Sequence, residues 1–357
     1  MRLCYLADAP YIHTRRWVEH FAARGWETHV ISFRPADIAG SRVHYVGGWE
    51  RLGKLRYLIQ ARRVRRLVRS LQPDIVHALH LTSYGFLAAF ADVHPCVTSV
   101  WGTDVLEAPR LSPFHRFITR YALARADRVT ATGMRLAEAT LPYMPPGKDV
   151  EVIPYGIDLE QFRPPARGPR EEIVVGSVGR LSSEKGLKYL LQAMVAVVRE
   201  EPRARVLLAG DGPERRSLER LAKRLGLGEQ VEFTGEVAHE QVPQALACMD
   251  VFAMPSTWEG FGVAALEAAA MELPVVASGI HGIPDVVEDN VTGILVPPKD
   301  VAALSRAILG LVRDGGERRR LGEAGRELVA ARYAWEDNAR QMETLYAELL
   351  ADSPARS

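Results

Sequence analysis

VFAMPSTWEGFGVAALE, residues 251–267, decides the fold of this chain. Val251–Met254 read as a short buried strand, and the Ala-rich run from Val263 reads as an apolar helix. Strand, glycine-bounded loop and helix make the unit from which doubly wound α/β sheets are built. Two carboxylates stand in the unit, Glu259 before the helix and Glu267 inside it. Between them Gly260, Phe261 and Gly262 leave the backbone room to approach a ligand, and the amides that follow, through Val263, point unpaired N–H groups outward. Phosphate is the natural guest of such a helix start.

A sugar nucleotide would be held there from three sides. Glu259 would take hydroxyls of the sugar, the amides the diphosphate, and Glu267 the two ribose hydroxyls, because a carboxylate accepts paired hydrogen bonds well. The plainer alternative makes Glu259 a helix cap and Glu267 a solvated position. The neighbours argue against it: Ala264, Ala265, Leu266, Ala268, Ala269 and Ala270 leave Glu267 in an almost wholly apolar helix, where it is expected to be buried and partnered.

Working outward, the second half alternates strand and helix. Strands are expected at Ile173–Val178, Arg205–Ala209, Val231–Thr234, Pro274–Ala277 and Gly293–Val296, with helices at Leu187–Glu200, Glu214–Leu225, Ala302–Val312 and Trp335–Leu350. The first of these strands runs into GRLSSEKG, Gly179–Gly186, where Arg180 and Lys185 sit just before a helix. Two cations at a strand exit can neutralise a diphosphate and stabilise it as it leaves. The P-loop spacing is absent, and a solvated basic turn is the competing reading. GDGP at Gly210–Pro213 and GIHGIPD at Gly279–Asp285 are further glycine-rich strand exits on the same edge. No Asp-x-Asp and no His/Cys cluster of metal spacing occurs, so no metal or other cofactor is expected.

The first half has the same rhythm, with strands expected at Leu3–Ala7, Thr28–Phe33, Asp74–Ala78, Cys96–Val100, Arg128–Thr132 and Val150–Ile153 and an early helix at Trp17–Arg24. Its expected strand exits are Asp8–Arg16, His77–Tyr84 and Trp101–Asp104. The four prolines of Pro154–Arg170 mark a connector, and the last nine or so residues read as frayed. At 357 residues two domains are the default.

Composition fits an ordinary globular protein, with 47% hydrophobic and 25% charged residues. The net charge of +1 hides an asymmetry: residues 1–165 carry 22 Lys/Arg against 15 Asp/Glu, and residues 166–357 carry 23 against 29. Cys4, Cys96 and Cys248 each lie in apolar sequence and are expected to be buried thiols of a reducing compartment. With no signal-peptide core and no apolar run of membrane-spanning length, the expected location is cytoplasmic.

Gly179-Arg180-Leu181 with Lys185-Gly186, Gly210-Asp211-Gly212-Pro213, PSTWEGFGVAALE and GIPDVVEDNVTGILVPPKD (Gly282–Asp300) occur in the order seen in retaining GT-B-type glycosyltransferases of family four, and VIPYGIDLEQFRP (152–164) is similar to that family's interdomain connector. The resemblance covers nearly the whole chain. It implies two Rossmann-type domains facing a central cleft: an acceptor domain over 1–165, a nucleotide-sugar domain over 166–334, and a final helix over 335–357 packing back on the first. It also implies metal-independent sugar transfer from a nucleotide diphosphate donor with retention at the anomeric carbon. In its terms Arg180 and Lys185 hold the diphosphate, Glu259 the donor sugar, Phe261, Gly262 and Val263 the phosphates through their amides, and Glu267 the ribose, with Gly179, Gly210 and Gly260 also counted in the donor site.

The first half departs from that family. DAPYIHTRRW (8–17) stands where many relatives have a Gly-rich loop, and Trp101 stands where many have histidine. His13, Trp101 and Asp104 are candidate acceptor contacts. The run Arg51–Arg69 has eight Lys/Arg and no acid, interleaved with apolar residues at helical spacing. It is read either as a solvated face or as a helix lying on the anionic inner face of the plasma membrane, which would make the acceptor lipid-linked or membrane-proximal. No stacking platform or reader motif points to nucleic acid. A transferase with a soluble acceptor, a nucleotide-sugar epimerase and a binding-only subunit are the rival readings.

Overall fold

The computed structural model describes residues 1–48, 53, 55–165, 168 and 170–352. They form two compact units, one of Met1–Tyr155 with Glu336–Ser357, the other of Gly156–Trp335. Each is a doubly wound parallel sheet.

The first unit orders seven strands β3-β2-β1-β4-β5-β6-β7. They are β1 Arg2–Leu6, β2 Glu27–Ser32, β3 Ser41–Tyr45, β4 Ile75–Leu79, β5 Cys96–Val100, β6 Arg128–Ala131 and β7 Glu151–Val152. All pairs are parallel, with Cys4 facing both His29 and Val76 in register. β4 and β5 are buried at every residue, as strands covered on both faces must be. β3 is polar and half-exposed, so its sequence carried no strand signal. The first helix, α1, spans Ile12–Ala23; it starts five residues earlier than the Trp17 expected and takes His13 into its first turn.

Helices α2 (Leu55–Leu71), α3 (Phe86–Ala91) and α4 (Pro113–Arg125) follow. Of the basic run, Arg51, Leu52 and Lys54 lie outside the described residues. Val64 and Val68 turn into the core, whereas Leu55, Leu58 and Ile59 are exposed beside Arg62, Arg63 and Arg66. α4 likewise exposes Phe114 and Phe117 beside Arg116 and Arg120. A row of rings joins the two: Arg65 lies over Phe90 at 5.8 Å, Phe90 meets Phe86, and Tyr121 meets both Phe86 and Phe117 at 6.0 Å.

The last helix, Trp335–Asp352, returns to this unit through Tyr346. Its hydroxyl reaches Tyr5 Oη (3.3 Å) and His77 Nδ1 (2.5 Å), while His77 Nε2 meets Ser99 Oγ (2.7 Å) and Ser99 meets Thr130 (2.7 Å). Burial pushes the His77 pKa down to about 3, so the ring stays neutral and can donate at one nitrogen and accept at the other. His77 is thus a core group rather than a strand-exit ligand. Leu349–Asp352, read as frayed, close this helix, and residues 353–357 lie outside the described residues. Cys4 and Cys96 are buried thiols whose pKa burial pushes up to about 12, whereas Cys248 is exposed, against expectation. It caps a short helix on its outer side, with Sγ turned to the Gln244 carbonyl.

The second unit orders six parallel strands β10-β9-β8-β11-β12-β13. They are β8 Ile173–Val178, β9 Ala204–Ala209, β10 Val231–Gly235, β11 Val251–Met254, β12 Val275–Ser278 and β13 Gly293–Val296. The winding reverses between β8 and β11, so their C-terminal ends bound the crevice where such sheets take ligands. The connector enters beside the exit of the unit: Ile157 N donates to the Tyr333 carbonyl (2.7 Å) and Trp335 N to the Ile157 carbonyl (3.0 Å). Ala166, Arg167 and Pro169 of the connector lie outside the described residues.

The glutamate helix, α5, spans Val263–Ala270, and an 18-residue helix, α6 (Gly315–Arg332), packs against it. α6 is capped by the Asp314 carboxylate on Glu317 N. Sequence reading missed it because its buried stripe includes Gly322 and Gly325 among the larger Leu321, Leu328 and Val329, which weakens the apolar periodicity.

Candidate active site

The two central strand exits of the second unit are locked together through backbone. Gly186 sits at φ 64°, and a Cβ there would lie 2.0 Å from the Pro255 carbonyl oxygen, so the turn after β8 and the turn after β11 touch without side chains between them. Thr257 N reinforces the contact by donating to the Glu184 carbonyl (2.7 Å). On the other side Gly179 N donates to the Ala209 carbonyl and Leu181 N to the Asp211 carbonyl, both 2.9 Å.

This framework brings Lys185 to Glu259, with Nζ 2.6 Å from Oε2. Both are partly exposed, at 30% and 15%, so the pair faces solvent rather than the core. Arg180 is exposed beside it. Gly179, Arg180 and Lys185 line one recess with Ser256 and Ala264, the latter in the first turn of α5. Gly262 caps that helix at φ 98°, and the first amides behind it have no carbonyl partner within the helix. Gly260 and Phe261 are buried, Phe261 edge-on to Tyr333 at 5.9 Å.

Glu267 is buried at 7% exposure, and its carboxylate lies 3.8 Å from His239 Nδ1. Gly210 stands behind the recess as a packing element, pressed on Gly179. Arg180 and Lys185 therefore line one recess at the winding reversal, with Glu259 paired to Lys185 and Glu267 placed apart beside His239. Among the described residues no three His, Cys, Asp or Glu side chains converge as ion ligands would.

In the first unit His13 and Trp101 do come together. His13 stacks on Tyr155 with ring centres 3.9 Å apart and 19° between planes, Trp101 meets both edge-on at 6.2 and 5.6 Å, and Tyr11, half exposed, lies 6.4 Å from Trp101. Asp104 lies near them, its charge adding to burial in raising the Tyr155 pKa, but its carboxylate is taken up by backbone amides, which corrects its place among the acceptor contacts. It is fully buried, and its carboxylate accepts from the amides of Leu81, Trp101 and Gly102. It holds the turn that presents Trp101.

Two family models match along the chain, "glycosyl transferase 4-like" over residues 2–133 and "glycosyl transferases group 1" over residues 159–328. The GDP-mannose-dependent alpha-(1-6)-phosphatidylinositol monomannoside mannosyltransferase of Mycolicibacterium smegmatis is 31% identical over 310 residues, 82% of this chain and 80% of that one. The chain belongs to the group 1 glycosyltransferases. Among solved structures, the sucrose-phosphate synthase of Thermosynechococcus elongatus superposes with a TM-score of 0.86 at 25% identity, over 99% of this chain and 100% of that one. Anabaena HepE, solved with UDP-glucose, superposes with a TM-score of 0.80 at 22% identity, over 98% and 100%. This glycosyltransferase is therefore an enzyme of the hexosyltransferase type with a GT-B fold, acting on nucleotide-sugar donors.

Sequence reading of the glycosyltransferase missed four residues. His239, beside Glu267, sits in a short turn after β10 whose sequence, VAHEQ, carries no motif. Ser256 looks like an ordinary turn residue. Tyr11 and Tyr155 join the His13–Trp101 cluster from segments far apart in sequence, which no local pattern reveals.

Proposed function

We propose that the enzyme moves a sugar from a nucleotide diphosphate held at the β8–β11 winding reversal, with retention and without a metal ion. The observation that carries this reading is the Lys185–Glu259 pair standing with Arg180 beside the open start of α5. In this reading Arg180, Lys185 and the amides of Phe261, Gly262 and Val263 neutralise the diphosphate, Glu259 orients the sugar, and Glu267 with His239 takes the ribose. The bond from the anomeric carbon to the diphosphate oxygen breaks while the acceptor oxygen bonds on the same face, and the departing phosphate oxygen takes the acceptor's proton. Cations already in place stabilise the leaving charge, so positioning and electrostatics supply the rate.

The ring cluster of Tyr11, His13, Trp101 and Tyr155 is assigned to the acceptor, because stacked rings present a flat apolar face to the C–H side of a sugar or cyclitol. The test is a melting-temperature panel of nucleotides and sugar nucleotides, run without metal and again with chelator. Stabilisation by one base family that persists with chelator, followed by a product whose anomeric configuration matches the donor's, is the expected result. Failure of every nucleotide to raise the melting temperature would overturn the donor site.

The exposed Leu55, Leu58, Ile59, Phe114 and Phe117, set among Arg62, Arg63, Arg66, Arg116 and Arg120, favour a peripheral place on an anionic membrane. Among the described residues no helix is long and apolar enough to cross a bilayer. The enzyme should sediment with phosphatidylserine-containing vesicles and not with phosphatidylcholine alone, and high salt or charge reversal at Arg62, Arg63 and Arg66 should release it. Equal recovery with both vesicle types would remove the membrane from the account.

A further inference from the structure

At the end of β11 the chain turns through Pro255 and Ser256 before reaching the glutamate loop. Ser256 is fully buried, and its hydroxyl has no hydrogen-bond partner. Six other buried side-chain atoms share that state among the described residues, and all belong to residues of the first unit: Thr14, Arg56, Thr98, Thr132 and Asn338. Within the described part of the second unit Ser256 stands alone.

An unpaired buried hydroxyl destabilises a fold, and native proteins hold few of them. Alanine would fill nearly the same volume without that cost. The position therefore carries a group that packing does not need, and the group lines the same recess as Gly179, Arg180 and Lys185. An exposed guanidinium and an ammonium are hydrogen-bond donors only. A guest that accepts hydrogen bonds suits the Arg180 guanidinium and the Ser256 hydroxyl together, and a phosphoryl oxygen does so with a charge that matches the guanidinium.

We propose that Ser256 is a further donor-binding residue, its hydroxyl donating to an oxygen of the nucleotide's diphosphate. The inference rests on the donor site described above and adds a residue to it. The bond would be charge-assisted and enclosed, in the class where a single hydrogen bond contributes most.

The experiment compares the full-length wild type with Ser256→Ala and Ser256→Cys, using UDP and GDP as probes and uridine and guanosine as controls, without metal. Ser256→Ala is expected to keep or raise the melting temperature of the free protein. It should weaken the diphosphate that the wild type binds by about tenfold, or ~1.4 kcal/mol, with nucleoside binding unchanged. Ser256→Cys, which keeps the shape with a weaker donor, should fall between. A diphosphate affinity within twofold of wild type in Ser256→Ala overturns the inference and leaves the donor site standing. A free-protein melting temperature that drops several degrees, with nucleoside and diphosphate binding lost in parallel, also overturns it, because the hydroxyl would then be structural. If the wild type binds neither diphosphate, the donor site itself fails.

Discussion

Lys185→Ala is expected to lower kcat/KM by about 10²–10³ with the sugar nucleotide that stabilises the wild type, the loss found when one preorganised donor to developing negative charge is removed. On the donor site proposed above, much rests on one ammonium. Lys185 sits in a three-residue turn between Ser182 and Gly186, held by backbone contact with the Pro255 turn, so its charge is fixed where a diphosphate would reach it. In the free enzyme it is spent on Glu259 at 2.6 Å. A partly exposed pair of this kind contributes about 0–1 kcal/mol to stability, so the variant should melt within a few degrees of wild type. Activity and stability thus separate, and steady-state kinetics beside a melting curve measures both. A kcat/KM within threefold of wild type would sink the assignment of Lys185. A melting temperature down by ten degrees or more would mean that the pair is holding the fold instead.

Gly210→Ala should do the reverse, costing stability first and function as a consequence. Gly210 lies at φ 143°, a region that side chains rarely enter, and a Cβ there would stand 1.9 Å from the Gly179 carbonyl oxygen. Backbone on backbone has no soft neighbour to yield, so the β8 and β9 exits would have to part. The expected loss is about 3–5 kcal/mol, which for a unit of this size lowers its transition by roughly 6–20 °C. Gly228→Ala is the control, because nothing lies within 4 Å of its added Cβ; it should be close to neutral. Calorimetry of the two variants decides the matter, and a Gly210→Ala transition within 2 °C of wild type would show that the strand exits are not locked as described.

The parts of the fold that were legible in sequence are those where one local signal suffices. Ile173–Val178, Leu187–Glu200 and Val251–Met254 have the bounds their apolar patterns predict. The cations and carboxylates stood out because charge inside apolar sequence needs a reason, and in the second unit Lys185 and Glu259 do meet. What escaped depended on context supplied from elsewhere in the chain. β3 is an edge strand that needs no apolar run, and α6 buries glycines. Asp104 reads like a sugar ligand until its three amide partners appear, because a carboxylate in a loop looks the same whether it faces a hydroxyl or its own backbone. Ser256 could not be singled out at all, since its significance is the partner it lacks.

The path of the chain between the units also governs when each can fold. Tyr346, which closes over Tyr5 and His77, arrives only after the whole second unit, residues 156–335, has been made. At roughly 5–20 residues per second, those 180 residues take about 9–36 s to synthesise. Through that interval the first sheet waits with the Tyr5–His77 face uncovered, and at its end the second unit, continuous in sequence and with its two ends bonded to each other through Ile157 and Trp335, has all it needs to fold. The half made first is therefore the half finished last.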